Sequence, residues 1–443
     1  MSENIPTRRN FLKASGATAG VAAGLTTLGS TFAATSKVEA GNVHSGGNET
    51  LRVGLVGCGG RGTGAALDAL SADPHAKLVA LGDTFRDRAE TCLSDLREDE
   101  ELGSRVLVDE EHIFDGFDNY RHVIDACDVV LLTTPTHFRP QHLAYAVQQG
   151  KHSFVEKPIA VDAPGVRSVM ETCRLAKEKN LAVVSGLCWR YDLGVRETMR
   201  KILEEKAIGE IVSIESSYNS GQLWHRGNNP EWSQMEYQVR NWIYYTWLSG
   251  DHILEQAIHS LDKTAWLLGD IQPTQAMGLG GRQQRTDAKY GNVYDHFTVF
   301  YEYPTGQRVY FTCRQQDGTD THVDETVLGT NGQAEILRNR LESKPIGSAT
   351  GKKWRYRGPK PSMYRQEHKE MFESIRAGEP INNGHYMCNS TMIGVMGRMA
   401  AYSGKTVTWD ECFNSEQRLG PTEFAWTDIP VQPVAIPGTK QVS

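Results

Sequence analysis

From Leu51 onward the chain alternates short apolar runs with stretches whose apolar positions recur every three to four residues. A short apolar run suits a strand buried on both faces, and the three-to-four spacing suits a helix with one inward face. The pattern predicts strands over 51–56, 77–82, 128–133, 152–155 and 182–186, and helices over 61–71, 139–149 and 166–179. Strands alternating with helices imply a parallel, doubly wound sheet, so the fold class is α/β. After Tyr191 the rhythm changes. Residues 195–205 read as helix and 210–217 as strand, and one helix runs from about Asp251 to Leu268, stopped by Gly269. Residues 292–303 and 307–315 read as a hairpin around Pro304-Thr305-Gly306, with further strands over 324–329 and 334–337. That succession predicts a C-terminal α+β domain with a mainly antiparallel sheet.

Composition narrows the class. Of 443 residues, 39% are hydrophobic and 23% charged, which suits a soluble globular protein. The formal net charge of -7 argues against a broad grip on nucleic acid or an anionic membrane. Eight cysteines without a CxxC pair suggest neither a zinc ribbon nor a dithiol redox motif. Ahead of the periodic region, Thr7-Arg8-Arg9-Asn10-Phe11-Leu12-Lys13 precedes a mild apolar run over 14–28 and the small residues Ala33 and Ala34. This reads as a twin-arginine export signal, in preference to a membrane anchor, because the run is short and weakly apolar. The expected division is a signal peptide over 1–34, a linker over 35–50, a nucleotide-binding domain over 51–190, an α+β domain over 191–412 and an extended, Pro-rich tail over 413–443. The expected location is the periplasm or another exported compartment.

The first strand runs directly into Gly57-Cys58-Gly59-Gly60-Arg61-Gly62, which opens a helix. Gly57 permits the turn, Gly59 and Gly60 let backbone approach a pyrophosphate, and Gly62 lets helix pack on strand. The helix N-terminus, including Arg61, then faces the anion with free N–H groups. This is the Rossmann arrangement. The second strand ends at Asp83, 21 residues after Gly62, where a carboxylate can bond the ribose hydroxyls of NAD and repel a 2′-phosphate. Asp83 could equally cap the following helix. Arg86 keeps NADP open, and NAD is favoured.

Four features together carry a family resemblance: the glycine loop, Thr134-Pro135-Thr136-His137, Glu156-Lys157-Pro158, and His259 on a later helix. The chain resembles the Gfo/Idh/MocA family, named for glucose-fructose oxidoreductase and inositol dehydrogenase, over roughly residues 51–410. The resemblance implies a second domain whose large open sheet faces the nicotinamide, with Lys157 at the ring and at a substrate hydroxyl. It also implies that Thr134, Pro135, His137 and Glu156 line the nicotinamide ribose, that Arg190 lies near the cofactor, and that the chain forms a homo-oligomer through the exposed sheet face. One departure stands out: Glu255 occupies the position four before the catalytic histidine, where relatives carry Asp.

Removing a hydride from a secondary alcohol requires a base for the proton and an electrophile for the oxygen. His259 can take the proton and the Lys157 ammonium can stabilise the alkoxide. Glu255, four residues before His259, would share its helical face and orient the imidazole or bind substrate; Asp262, three residues after, could serve instead. His252, Glu255 and His259 recur at helical spacing, but without a further ligand no metal is expected. The segment from Trp232 to Trp247, with Arg240, Tyr244 and Tyr245, suits either a sugar or a packed interface. Three readings stay open: a dehydrogenase of a sugar, glycoside or cyclitol; a redox-neutral glycoside hydrolase that oxidises its substrate transiently; and a non-catalytic sugar-binding protein. Free NAD is scarce outside the cytoplasm, so a tightly bound, internally recycled cofactor is expected.

Overall fold

The computed structural model describes residues 49–345 and 347–439. The signal peptide and nearly all of the linker read from the sequence lie outside the described residues.

Six strands form one parallel sheet: β1 (Leu51–Val56), β2 (Ala76–Gly82), β3 (Ile113–Phe114), β4 (Val129–Leu132), β5 (His152–Val155) and β6 (Val183–Ser185). Their order is β3-β2-β1-β4-β5-β6, so the chain winds outward in both directions from β1 and β4. β4 is apolar throughout and every residue of it is buried, because helices cover both faces.

Nine strands form the second sheet: β7 (Ile211–Ser220), β8 (Gln275–Gly281), β9 (His296–Glu302), β10 (Arg308–Gln315), β11 (His322–Gly329), β12 (Gly332–Glu335), β13 (Arg340–Ser343), β14 (Lys352–Arg355) and β15 (Val407–Thr408). The order is β14-β13-β12-β11-β7-β10-β9-β8-β15. β7 and β10 are parallel, and every other neighbouring pair is antiparallel. Along β10 the inward residues Val309, Phe311, Cys313 and Gln315 alternate with more exposed ones, the period-two pattern of a sheet covered on one face. The open face leaves Met277, Leu279 and Tyr310 exposed.

Among the helices that the apolar pattern did not suggest, two long ones lie late in the chain. Met363–Arg376 buries Met371, Phe372 and Ile375. Gly384–Ser403 is buried on nearly all sides and lies against β8, the helix Ala163–Glu178 and the helix Ile258–Leu267. Among the described residues, no helix is long and apolar enough to cross a membrane.

Candidate active site

Register in the parallel sheet assembles the site. Gly82, Val56, Leu132 and Val155 pair in sequence across β2, β1, β4 and β5, and Val155 pairs with Ser185 of β6. The next residue of each strand therefore stands in one row at the carboxyl edge: Asp83, Gly57, Thr133, Glu156 and Gly186. Ligands of open α/β sheets bind at that edge.

The glycine loop divides its labour. Gly57 has φ +97°, and a Cβ there would meet the Thr134 amide at 2.7 Å. A Cβ at Gly62 would sit 2.0 Å from the Gly57 carbonyl oxygen. At Gly59 a Cβ would meet only an Arg88 Nη at 3.7 Å, and at Gly60 nothing within 4 Å. The helix Gly60–Ala72 starts without a side-chain cap. Open space above uncapped N–H groups at a helix start fits the pyrophosphate of a dinucleotide. Asp83 is buried and accepts from the Cys58 amide at 2.7 Å and the Phe85 amide at 3.0 Å. It thereby ties the glycine loop to the next strand while each oxygen keeps a lone pair for a ribose hydroxyl. Burial lifts its carboxyl above the usual range, against these two bonds. Arg86 is committed to Glu90 and the Ile113 carbonyl.

Arg61 does not reach toward a phosphate. Its guanidinium donates to Glu156 at 2.6 Å and Glu367 at 2.9 Å. Glu156 accepts also from the Lys157 amide at 3.0 Å. Burial alone would raise the Glu156 carboxyl, but Arg61, Lys157 and Arg139 hold it below the usual range. Gly186 makes room for this carboxylate: a Cβ there would lie 2.7 Å from Glu156 Cδ. Thr134 Oγ1 lies 3.4 Å from His142 Nδ1, and Pro135 precedes the turn Thr136–Phe138. His137 packs edge-on against Trp247 at 5.1 Å and Phe424 at 5.6 Å, and burial lowers its pKa to about 4.

Lys157 and His259 meet through a break in the second domain's helix. The single helix expected over 251–268 is two pieces, His252–Glu255 and Ile258–Leu267. Across the break the Ala257 amide donates to His252 and the His259 amide to Gln256. This leaves the Glu255 carbonyl to Lys157, whose Nζ donates to it at 2.7 Å. The Glu255 carboxylate lies 3.7 Å from the same Nζ. Glu255 thus serves Lys157 rather than orienting the imidazole, and His259 Nδ1 has no hydrogen-bond partner among the described residues. Burial lowers the His259 pKa well below its ordinary value, reinforced by the charges of Lys157, Lys263 and Arg61. The imidazole is neutral near pH 7 and open to a proton.

Other candidates are occupied elsewhere. Arg190 donates to both Asp262 oxygens at 3.0 Å and to Asp270 at 2.6 Å, and Ser390 donates to Asp262 at 2.8 Å. Arg190 and Asp262 therefore form a buried structural pair, and neither is free for cofactor or substrate. The aromatic segment is a packed interface. Arg240 lies over the Phe85 ring at 3.8 Å and the Trp232 ring at 4.9 Å, and it pairs with Glu236 at 2.8 Å. Tyr244 is fully buried and donates to the Leu223 carbonyl at 2.8 Å; Tyr245 is buried in the same aromatic cluster. His252 is buried near Tyr218, and no three His, Cys, Asp or Glu side chains converge as metal ligands among the described residues. The sequence reading missed Gly186, Glu367 and Lys263; only Gly186, at the end of a strand like Gly57, carried a local signal.

Two family models match this chain. The oxidoreductase family with an NAD-binding Rossmann fold matches residues 51–187, and the GFO/IDH/MocA C-terminal domain matches residues 197–335. Over 224 residues the chain is 27% identical to a 2,7-anhydro-N-acetylneuraminate hydratase of Escherichia coli strain K12, covering 50% of this chain and 55% of that protein. Over 295 residues it is 28% identical to an inositol 2-dehydrogenase of Serratia proteamaculans strain 568, covering 65% of this chain and 74% of that protein. The chain thus spans little more than half of the first relative. The crystal structure of GenD2 from gentamicin A biosynthesis in complex with NAD has a TM-score of 0.62 at 16% identity, covering 87% of this chain and 99% of that one, a likeness of fold.

Proposed function

Because this chain belongs to the GFO/IDH/MocA oxidoreductase family, we propose that it transfers a hydride at a hydroxyl-bearing carbon of a sugar, glycoside or cyclitol. The observation that carries this reading is the Lys157 ammonium, held 2.7 Å from the Glu255 carbonyl, four residues before His259. A nicotinamide dinucleotide, NAD in preference to NADP, supplies the hydride acceptor when bound. Gly57, Gly59, Gly60 and Gly62 hold its backbone-facing side, with Asp83 at the ribose and Thr134, Pro135, His137 and Glu156 further along the row. Lys157 donates a hydrogen bond to the substrate oxygen and stabilises negative charge there. His259 accepts the hydroxyl proton. Glu255 holds the Lys157 ammonium in place through its carbonyl at 2.7 Å and its carboxylate at 3.7 Å.

Tight retention of the cofactor is part of the proposal, supported by the tail. Leu419 donates to Asp162 at 2.9 Å, and Gly420 lies against His137 and Trp247. Export of the loaded, folded chain by the twin-arginine pathway completes the reading, motivated by Thr7–Lys13. The hydratase relative favours a second reading, in which transient oxidation serves elimination or hydration without net redox change.

The test is to express the protein with its leader, measure nucleotide in the purified exported form, and screen free sugars, cyclitols and glycosides. Nucleotide absorbance and reducing ends are followed together. Lys157→Met and His259→Gln should abolish turnover while nucleotide stays bound. A net rise in reduced nucleotide identifies the dehydrogenase; cleavage with unchanged nucleotide identifies the redox-neutral enzyme. Turnover unaffected by both substitutions would overturn the proposal.

A further inference from the structure

One turn beyond His259, two fully buried charges sit against each other. Lys263 Nζ lies 3.3 Å from Glu325 Oε1, and both side chains are 0% exposed. The same Nζ donates to the His259 carbonyl oxygen at 2.9 Å and lies 5.2 Å from the centre of the Trp189 ring. Glu325 comes from β11, where it pairs with Ser216 of β7. Ser260, beside His259, donates to the Ser217 carbonyl at 3.0 Å, so the helix is pinned to the sheet at this point.

A buried ion pair is a weak source of stability, because taking two charges out of water costs about as much as their attraction returns. Two apolar side chains of similar volume would hold the helix on the sheet equally well. They would not bond the His259 carbonyl or place charge beside it.

We infer that Lys263 and Glu325 are positioning residues for His259, a buried cation–anion pair that clamps its backbone and sets the charge its imidazole faces. The inference rests on the reading of His259 as proton acceptor and adds the groups that tune it. The charges acting on the imidazole are Lys157 at the end of β5, Lys263 on its own helix and Arg61 from the glycine loop, all of which oppose its protonation. Of the three, Lys263 is the one on the same helix as His259 and bonded to its carbonyl oxygen. Glu325 is faced by Lys263, by Ser260 and, along its own strand, by Asp324, which accepts from the Glu325 and Leu337 amides and lies 3.6 Å from Arg338. Burial lifts the Glu325 carboxyl to about 7, with Lys263 opposing the rise. Its charge therefore changes within the neutral range, and with it the net charge beneath His259.

The test reads His259 directly and needs no substrate, so it stands or falls apart from the proposed activity. Full-length protein carrying 13C-labelled histidine is titrated by NMR, with the His259 signal assigned by its loss in His259→Gln. Glu325 is already protonated where His259 titrates, so Glu325→Gln should leave that titration within about 0.2 units of the parent. Lys263→Met removes the cation, so it should move to higher pH. A Lys263→Met titration that moves to lower pH or by less than about 0.2 units, or a Glu325→Gln titration that moves by more, would overturn the inference. Should either single variant fail to fold, the double variant Lys263→Met/Glu325→Leu replaces the pair with apolar packing that the fold tolerates. In that variant, hydrogen exchange at the His259 turn should quicken about tenfold as the clamp is lost, and unchanged exchange would equally overturn the inference.

Discussion

Alanine at Gly186 tests whether the carboxylate of Glu156 positions Lys157. The backbone at Gly186 is not among the positive-φ positions, so alanine suffers no conformational penalty and its whole effect is steric. The new Cβ would stand 2.7 Å from Glu156 Cδ and Oε1 and 2.8 Å from Oε2, where ordinary contact begins near 3.4 Å. The carboxylate must retreat by about 0.7 Å, yet one oxygen is held by Arg61 at 2.6 Å and the other by the Lys157 amide at 3.0 Å. Overpacking costs about 1–3 kcal/mol. Weakening one charge-assisted hydrogen bond adds about 1.5–3 kcal/mol. The stiffer unfolded chain returns about 0.4–1 kcal/mol. The net loss is about 2–5 kcal/mol. With an unfolding entropy of about 2.1 cal/mol/K per residue, a fold of about 390 residues should melt about 2–6 °C lower. Turnover should fall roughly a hundredfold, because the Lys157 backbone moves with the carboxylate. Calorimetry measures the first quantity and kcat/KM the second. Glu156→Asp, one methylene shorter, should restore part of the loss in the Gly186→Ala background although it is damaging alone. A melting temperature within 0.5 °C of the parent, or strictly additive effects in the double variant, would refute the argument.

Deleting residues after Phe413 removes Phe424, which rests 5.2 Å from Phe138, and Trp426, which rests 4.6 Å from Phe117. At about 25 cal/mol per Å² of apolar surface the loss should be roughly 3–6 kcal/mol, and gel filtration should show nucleotide leaving the truncated protein that the full chain retains. His137, His142 and His252 are held neutral by burial, with pKa values lowered to about 4, 3 and 3. The unfolded chain binds their protons more readily, so this stability is full above about pH 6.5 and drains as pH falls toward those values, at up to about 2 kcal/mol per histidine by pH 5; a melting temperature that is flat from pH 7 to 5 would contradict it. Arg190→Met strands the buried Asp262 carboxylate and should cost about 3–5 kcal/mol, while NAD affinity per folded molecule, read by calorimetric titration, stays unchanged. The exposed Leu279 and Tyr310 on the open sheet face should join two copies, so Leu279→Asp with Tyr310→Asp should lower the mass found by sedimentation.

What could be read from the sequence follows how local each signal is. Five of the six parallel strands were legible because burial on both faces makes them apolar runs, and the turns after them placed Gly57, Asp83, Thr134 and Glu156 at one edge; β3, two residues long, is too short to carry a pattern. The broken helix was not legible. Every residue from His252 to Leu267 tolerates a helix, and the break is stabilised by a lysine 98 residues earlier that takes the Glu255 carbonyl. The expectation that Glu255 would serve His259 assumed one continuous helix; Asp262 does share the helix of His259, yet each carboxylate instead answers a distant cation. The aromatic segment could not reveal its partners, since Phe85, Phe138 and Phe424 reach it from three other parts of the chain. The helix Gly384–Ser403 escaped for a different reason: an element buried on nearly all sides has no polar face, and without one the spacing that betrays a helix disappears. A residue whose role is set by its own strand end can thus be assigned from the sequence, whereas one that answers a remote charge cannot. Gly186 shows the boundary. Its place at the end of β6 was readable, but its necessity follows only once the Glu156 carboxylate is seen lying across it.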